Sequence, residues 1–527
     1  MPLKKVHKRI LIGAGVAIGL LAAFIVEERV RGVRALRAWE ARMRAAGEPL
    51  SLGEVALPMP TNPAVRVLTP DQLVALLSAV FAPRDAPSAV TMVAPGKARC
   101  VSRLDGWREG GSQVYWTNVA PRIAAMREAL APLRADLTNH AWFVKLDYHR
   151  GADLPIPHVP RLKTLAQALS AATLLALREG DLAEATENLV CFPALVAVCQ
   201  QDRLLIGDLV GIAVAAIGAG ATWDALQHDG WTDEQLAAIQ RGWQSVRFLE
   251  PMAKTLELER VFAAPYFDRT RYSLHELINS LGPAGYWADS GAILPGDPPW
   301  WAEWLEPVAR LGARTRRWIG VGLWHLAWRE QDQLRHWQIV HRWVTEMRHA
   351  VAVRHFIAGR RVDDDLVLPL WGEAGPRHPL AMRYWLSGMI TPALDKAGQK
   401  AAWAEAWNEM LVTACALKRH RLRHGDWPET LGALVPEFLP ELPRDWFSGE
   451  PLRYVHREDG SFLLYSVNTD GRDDGGDARP AEADSGNAFP PQWGRDLVWP
   501  VAATAEEVEA WMMRRSGGAA AAPPPAN

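Results

Sequence analysis

The chain's hydropathy pattern opens with an uncharged apolar run of 17 residues, Ile10–Val26 (ILIGAGVAIGLLAAFIV). A run of this length reaches the lower end of what crosses a bilayer as a helix. Lys4, Lys5, Lys8 and Arg9 precede it, while Arg29, Arg31, Arg34 and Arg37 follow it. Orientation follows the Lys and Arg balance across the span, so the two clusters oppose each other; the chain start inside and the bulk outside is the preferred reading. No small-x-small cleavage site closes the run, and helical patterning continues through Glu27–Ala46 to a C-cap at Gly47. An uncleaved signal anchor fits this better than a removed signal peptide.

Beyond the anchor, Pro58, Pro60 and Pro63 mark an extended linker. Thr69-Pro70-Asp71 predicts a helix start, with Thr69 as N-cap, Pro70 in the first turn, and Leu73, Leu76, Leu77 and Val80 on one face. Short strands are expected around Ala89–Val93 and Gln113–Trp116. From Pro121 the pattern is helical almost without break. Leu162, Leu165, Leu169, Thr173, Ala176 and Leu177 form one stripe, Glu179-Gly180-Asp181 a turn, and Leu182, Ala185, Leu189 and Val190 a second stripe. Further helices are expected over about Leu204–Leu226 and Thr232–Phe248, the latter opened by a Thr232/Gln235 capping box. These helical hairpins are tetratricopeptide-like in places but lack a strict repeat. A Gly/Pro loop at Gly282–Pro299 precedes a long or broken helix over Trp300–Arg361, whose stripe is Trp337, Val340, Val344, Met347 and Val351. A second loop, Asp363–Pro379, leads towards the last long helix, Ala401–His424.

The expected class is mainly α, with five segments. Residues 1–46 are the membrane anchor and its following helix. A linker and small mixed region covers 47–120, an irregular α-hairpin domain 121–400, a small α+β module 401–515, and a disordered tail 516–527. The 527 residues can bury a sizeable core. A net charge of −2 gives the whole chain no basic field for nucleic acid. The four cysteines, Cys100, Cys191, Cys199 and Cys415, form no CxxC pair, and Cys191 and Cys199 read as buried thiols on an apolar helix.

Candidate chemistry concentrates near the C-terminal end. Leu452-Arg453-Tyr454 and Phe462–Val467 read as strands joined by an Asp459-Gly460 turn. The loop NTDGRDDGGD (468–477) then packs four aspartates among three glycines. Hard cations take several oxygen ligands, and glycines let backbone wrap around them, although the spacing is not that of an EF-hand. The arrangement Ser466-x-x-x-Asp470-Gly471, with Asp473, Asp474, Asp477 and the later Asp496-Leu497, resembles the calcium loop of type II secretion pseudopilins over roughly residues 402–500. The resemblance implies calcium held by Ser466, Asp470, Asp473, Asp474, Asp477 and Asp496; a solvated acidic turn is the competing reading. The chain departs from that family at its start, where Ile18 stands in place of the glutamate that follows a prepilin cleavage site. Most of the chain also intervenes between anchor and module. Trp39, Gly47-Glu48, Pro58-x-Pro60-x-Asn62, Gly180-Asp181-x-x-x-Ala185 and Leu256-x-x-Glu259-Arg260 resemble a class of bacterial membrane-anchored helical proteins. That resemblance implies location and architecture, not an activity.

Other residues have blander readings. His325, His336, His341, His349 and His355 suggest a polar, partly solvated face, with no HExxH spacing. Asp363-Asp364-Asp365 reads as a solvated run. Glu257, Glu259 and Arg260 read as inter-helix ion pairing, and the tryptophans Trp300, Trp301, Trp304, Trp318, Trp324 and Trp328 as core packing. No GxSxG, Walker loop or strand-borne GxGxxG is present. The expectation is a single-pass protein of the bacterial inner membrane, held through residues 10–26, with its bulk periplasmic. Its helical domain would bind a protein partner, and calcium would stabilise the C-terminal module. The alternatives are an envelope hydrolase with a site assembled around Glu257, Glu259 and the histidine-bearing helix, or a secretion-apparatus component.

Overall fold

A computed structural model describes residues 2–55, 57–83, 90–109, 112–267, 319–357, 371–372, 375–376, 383–480 and 494–517. The Gly282–Pro299 loop, Asp363-Asp364-Asp365, the tail from 518, and Trp300, Trp301, Trp304 and Trp318 lie outside the described residues. Helix dominates, at 64%. Among the described residues the sheets contain two or three strands each, so helix packing builds the core.

The anchor and the charged stretch after it form one helix, α1 (Pro2–Ala45). Its two halves differ. Leu11, Ile12, Val16, Ile18, Leu20 and Leu21 are all at least half exposed, whereas Glu28, Gly32, Leu36 and Trp39 are buried against the body. A short α2 (Leu52–Val55) leads to β1 (Val65–Leu68) and α3 (Pro70–Leu76). At α3 the Thr69 hydroxyl accepts from the Gln72 amide while the Gln72 side chain accepts from the Thr69 amide, so a full capping box accompanies the expected Pro. Strands β2 (Met92–Ala94), β3 (Lys97–Ala98), β4 (Gly106–Glu109) and β5 (Ser112–Tyr115) follow; β2 and β5 lie near the expected positions, whereas β3 is unexpected and β4 occupies a stretch that reads as only a turn in the sequence.

The helical body comprises α4 (Trp116–Asn139), α5 (His158–Glu179), α6 (Leu182–Leu189), α7 (Cys191–Gln201), α8 (Leu205–Leu226), α9 (Asp233–Gln244), α10 (Leu249–Phe262), α11 (Arg329–Val353) and α12 (Trp385–His424). One departure from the helical expectation is β6 (Ala141–Val144). It pairs in parallel with the distant β1, Val65 opposite Ala141, and no local signal announces that pairing. The second is the break at Val190 that divides α6 from α7. Helix α12 also begins 16 residues before the expected Ala401.

Among the described residues, three helical stretches are long and apolar enough to cross a membrane: Leu11–Ala45, Leu182–Gln201 and Leu205–Leu226. The chain is therefore a helical protein with candidate membrane-spanning segments, one of them near its start. Burial separates them. Only 6% of the α1 window is covered by protein, against 50% and 61% for the others. Helix α8 lies close against α7: a Cβ on Gly218 would stand 2.5 Å from Cγ of Phe192, and one on Gly207 2.7 Å from the Cys199 carbonyl. Its apolar surface is thus spent on neighbouring helices.

The C-terminal part closes the fold. Strands β9 (Arg453–His456) and β10 (Phe462–Ser466) form the expected hairpin, and Gly460 at the turn has φ +74°, which favours glycine. Strand β11 (Leu497–Val498) extends it antiparallel to β10. Strand β12 (Val501–Ala502) then crosses to pair with β3, and α13 (Ala505–Gly517) packs Val508 and Trp511 on Val93. Among the described residues, one large cluster of buried side chains reaches from Leu68 to Trp499 and takes in the helical body and the closing hairpin, with three smaller clusters beside it.

Candidate functional site

Several acidic side chains inside the body hold the ends of other elements. Glu405 on α12 accepts from the amides of Phe248 (2.5 Å) and Leu249 (3.0 Å), which open α10. Asn408, one turn on, donates to the Trp243 and Val246 carbonyls at the end of α9. Asp332 on α11 accepts from the Leu386 and Ser387 amides that start α12, and from the indole of Trp324 (2.7 Å). Glu259 accepts from the Leu205 amide at the start of α8. Helix starts carry unpaired N–H groups and partial positive charge, so a buried carboxylate is stabilised there. Burial still raises these acids, Asp332 to about 6 and Glu405 to about 7.

The residues expected to form inter-helix ion pairs largely do so. Arg348 bridges Glu48 (2.5 Å) and Glu257 (2.7 Å), and Arg260 reaches Glu48 (3.2 Å) and donates to the Pro49 carbonyl. Glu259 instead serves as the helix cap already described. His336 corrects the solvated-face expectation: it is buried, and burial drives its imidazole down to about 4. All four cysteines are buried and free.

The acidic loop near the C-terminal end is knit by protein donors. Asp496 accepts from the amides of Gly476 (2.7 Å), Asp477 (3.0 Å) and Asp474 (3.5 Å). Asp473 accepts from the Gly475 amide, the Tyr465 hydroxyl and Arg453; the amide contributes most to holding its carboxyl below the ordinary range. Asp477 pairs with Arg479, and Asp470 accepts from the Arg472 amide. The Ser466 hydroxyl donates to Asp445 (2.6 Å) and accepts from the Asn468 amide at the start of the loop (3.3 Å), and Asp445 also accepts from the amides of Val467 and Phe447. Asp474 is exposed. The six sequence candidates therefore divide between a buried hub at Ser466 and an outer loop closed by Asp496.

Among the described residues, Cys100, Asp224 and His228 bring three potential metal donors within 4.8 Å of one another. Their present bonding is structural. Asp224 accepts from the Val101 amide (2.7 Å), the Cys100 thiol (3.3 Å) and the Ser102 hydroxyl, anchoring the turn at residues 101–103 to α8. Ser102 also lies 2.7 Å from Nε2 of His228. A nucleophilic triad needs the acid on the far nitrogen of the imidazole and an accessible hydroxyl. Here the acid bonds the serine itself, and Ser102 is only 2% exposed. Burial pushes the Cys100 thiol up to about 12, so it is not a thiolate nucleophile.

Beside this hub lies an open cleft of about 330 Å³ between the ends of α8 and α12 and the closing hairpin. Lys418, Arg421, Trp427, Phe462 and Trp499 contribute to its walls. Lys418 pairs with Asp229 (3.2 Å), and the Arg421 guanidinium lies 4.8 Å from the Trp427 ring centroid. The Trp427 indole donates to the Gly460 carbonyl, fixing the hairpin turn at the rim. The cleft thus joins two cations to an aromatic wall, at a junction that residues 226–229, 414–427, 460–462 and 499–502 build together. Arg421 and Trp427 are close in the sequence, whereas a distant hairpin brings Phe462 to them. Comparison of the chain with protein-family models, with curated proteins and with solved structures finds no match.

Proposed function

We propose that the protein is a single-pass, membrane-anchored binding protein of the bacterial envelope, with its body on the periplasmic face. The observation that carries this reading is the contrast along α1: its first half is an exposed apolar rod and its second half is packed into the body. A helix of this kind holds the body at a fixed place beside the bilayer. The body would dock an acidic segment of a partner protein in the cleft, where Lys418 and Arg421 outnumber Asp229 and aromatic side chains offer apolar contact. The hydrogen bonds of Asp473, Asp477 and Asp496 support a self-sufficient acidic turn over a calcium loop.

The test uses the full chain in its native membrane, with a photo-crosslinking residue in place of Ser461 at the cleft rim. A discrete protein adduct is expected, lost on Lys418→Glu with Arg421→Glu. The control is a crosslinker at Ile206, exposed at the other end of α8 and about 30 Å away by helix rise. Equal adducts at both positions, or adducts indifferent to charge reversal, would refute docking in the cleft.

A further inference from the structure

We propose that a second segment, residues 319–328, enters the bilayer beside the anchor and contacts lipid acyl chains. This rests on the reading of α1 as a membrane anchor. Residues 319–323 are helical and continue through a π turn, Trp324–Trp328, into α11. Phe24 meets Trp328 edge to face at 6.2 Å, Glu28 meets Gln331, and Trp39 meets Trp337 at 5.6 Å. The paired residues rise together in number, so the two helices run side by side in the same direction. Moving back from Trp328 to Ile319 therefore moves along α1 from Phe24 into its apolar run.

A polar collar marks where this happens. The Glu28 carboxylate accepts from the Trp328 indole (3.1 Å), Gln331 (3.0 Å) and Arg383 (2.6 Å), and Arg31 approaches it at 3.2 Å. Such a knot, with a tryptophan at its edge, suits the boundary between headgroups and hydrocarbon. On the membrane side of it the segment presents Ile319 and Leu326, 58% and 48% exposed, with Val321 turned inward. His325, its polar side chain, turns back to Arg329 at 3.0 Å. Nine residues of helix rise cover about 13 Å, close to one leaflet's share, about 15 Å, of the hydrocarbon thickness. The surface is continuous with Phe24, which is why lipid, rather than a second protein, is its occupant.

Single cysteines at Ile319, Leu326, Leu20 and Val455 in the full chain, spin-labelled and reconstituted in phosphatidylglycerol-containing vesicles, test the proposal. The four native cysteines are buried and do not compete. Relaxation by oxygen reports lipid, and relaxation by aqueous nickel chelate reports water. Labels at Ile319 and Leu326 are expected to match Leu20, with strong oxygen and several-fold weaker nickel accessibility than Val455, which is exposed on the closing hairpin. Nickel accessibility at both positions equal to Val455, with Leu20 still lipid-like, would overturn the insertion alone. Shielding from both reagents would replace lipid by a protein neighbour and also overturn it. A water-exposed Leu20 would overturn the anchor reading on which it rests.

Discussion

Replacing Glu405 by glutamine isolates how the body is held together. The carboxylate is fully buried and accepts from the two amides that open α10, yet burial raises it from its ordinary 4.5 to about 7. The unfolded chain releases this proton near 4.5, and the folded chain keeps it until about 7. Between those values the folded state binds more protons, so the group's contribution to stability is fully present below about pH 4.5 and is lost as pH rises through 7. At about 1.4 kcal/mol per unit, a shift of roughly 2.5 units amounts to about 3.5 kcal/mol. Glutamine stays neutral, and its carbonyl oxygen can accept from the same amides. Denaturation of the full chain and of Glu405→Gln, each at pH 5 and pH 8, should show the variant gaining about 2.5 kcal/mol relative to the parent on going to pH 8. Other buried acids occur in both chains and cancel in the comparison. A difference that does not change with pH would refute a protonated cap at α10.

Gly32→Leu should loosen α1 from α11, because even a Cβ would stand 2.9 Å from Cγ of Gln331 and 3.3 Å from its backbone nitrogen. Overpacking of this kind costs about 1–3 kcal/mol, and faster tryptic cleavage between Arg37 and Arg44 would register it. Gly19→Leu, with nothing within 4 Å, should change nothing. Thr232→Ala removes the capping box of α9 and should cost about 1 kcal/mol in thermal or chemical unfolding. Asp496→Ala strips acceptors from three loop amides and should lower stability by about 1–3 kcal/mol with calcium or with a chelator alike. A calcium-dependent rise of several degrees, abolished by Asp470→Ala with Asp474→Ala, would instead make the loop a metal site.

What the sequence made legible was local. The caps at Thr69 and Thr232 and the Asp459-Gly460 turn each depend on residues within a few positions, and each is present. The contacts that sequence reading missed join distant positions. Nothing near Glu405 indicates that it closes a helix 156 residues away, nor does Val65 announce Ala141 as its parallel partner. His336 looked solvated because its neighbours on the helix are charged, but Phe267 and α10 cover it. The α8 run has the composition of a membrane span; its glycines, spaced for Phe192 and Cys199, reveal a helix–helix contact only once α7 is in place. The cleft has the same origin, since Arg421 and Trp427 are close in sequence whereas Phe462 and Trp499 arrive through the hairpin.

The most direct test of the account removes residues 2–22, leaving Phe24, Glu28 and the rest of the α1 contact with α11 intact. The full chain is expected to resist alkaline carbonate extraction, while the shortened chain is released as a folded protein with its helical content preserved. A shortened chain that stays embedded in the membrane would refute anchoring by the first half of α1 and leave residues 319–328, α7 or α8 to hold the body in the bilayer.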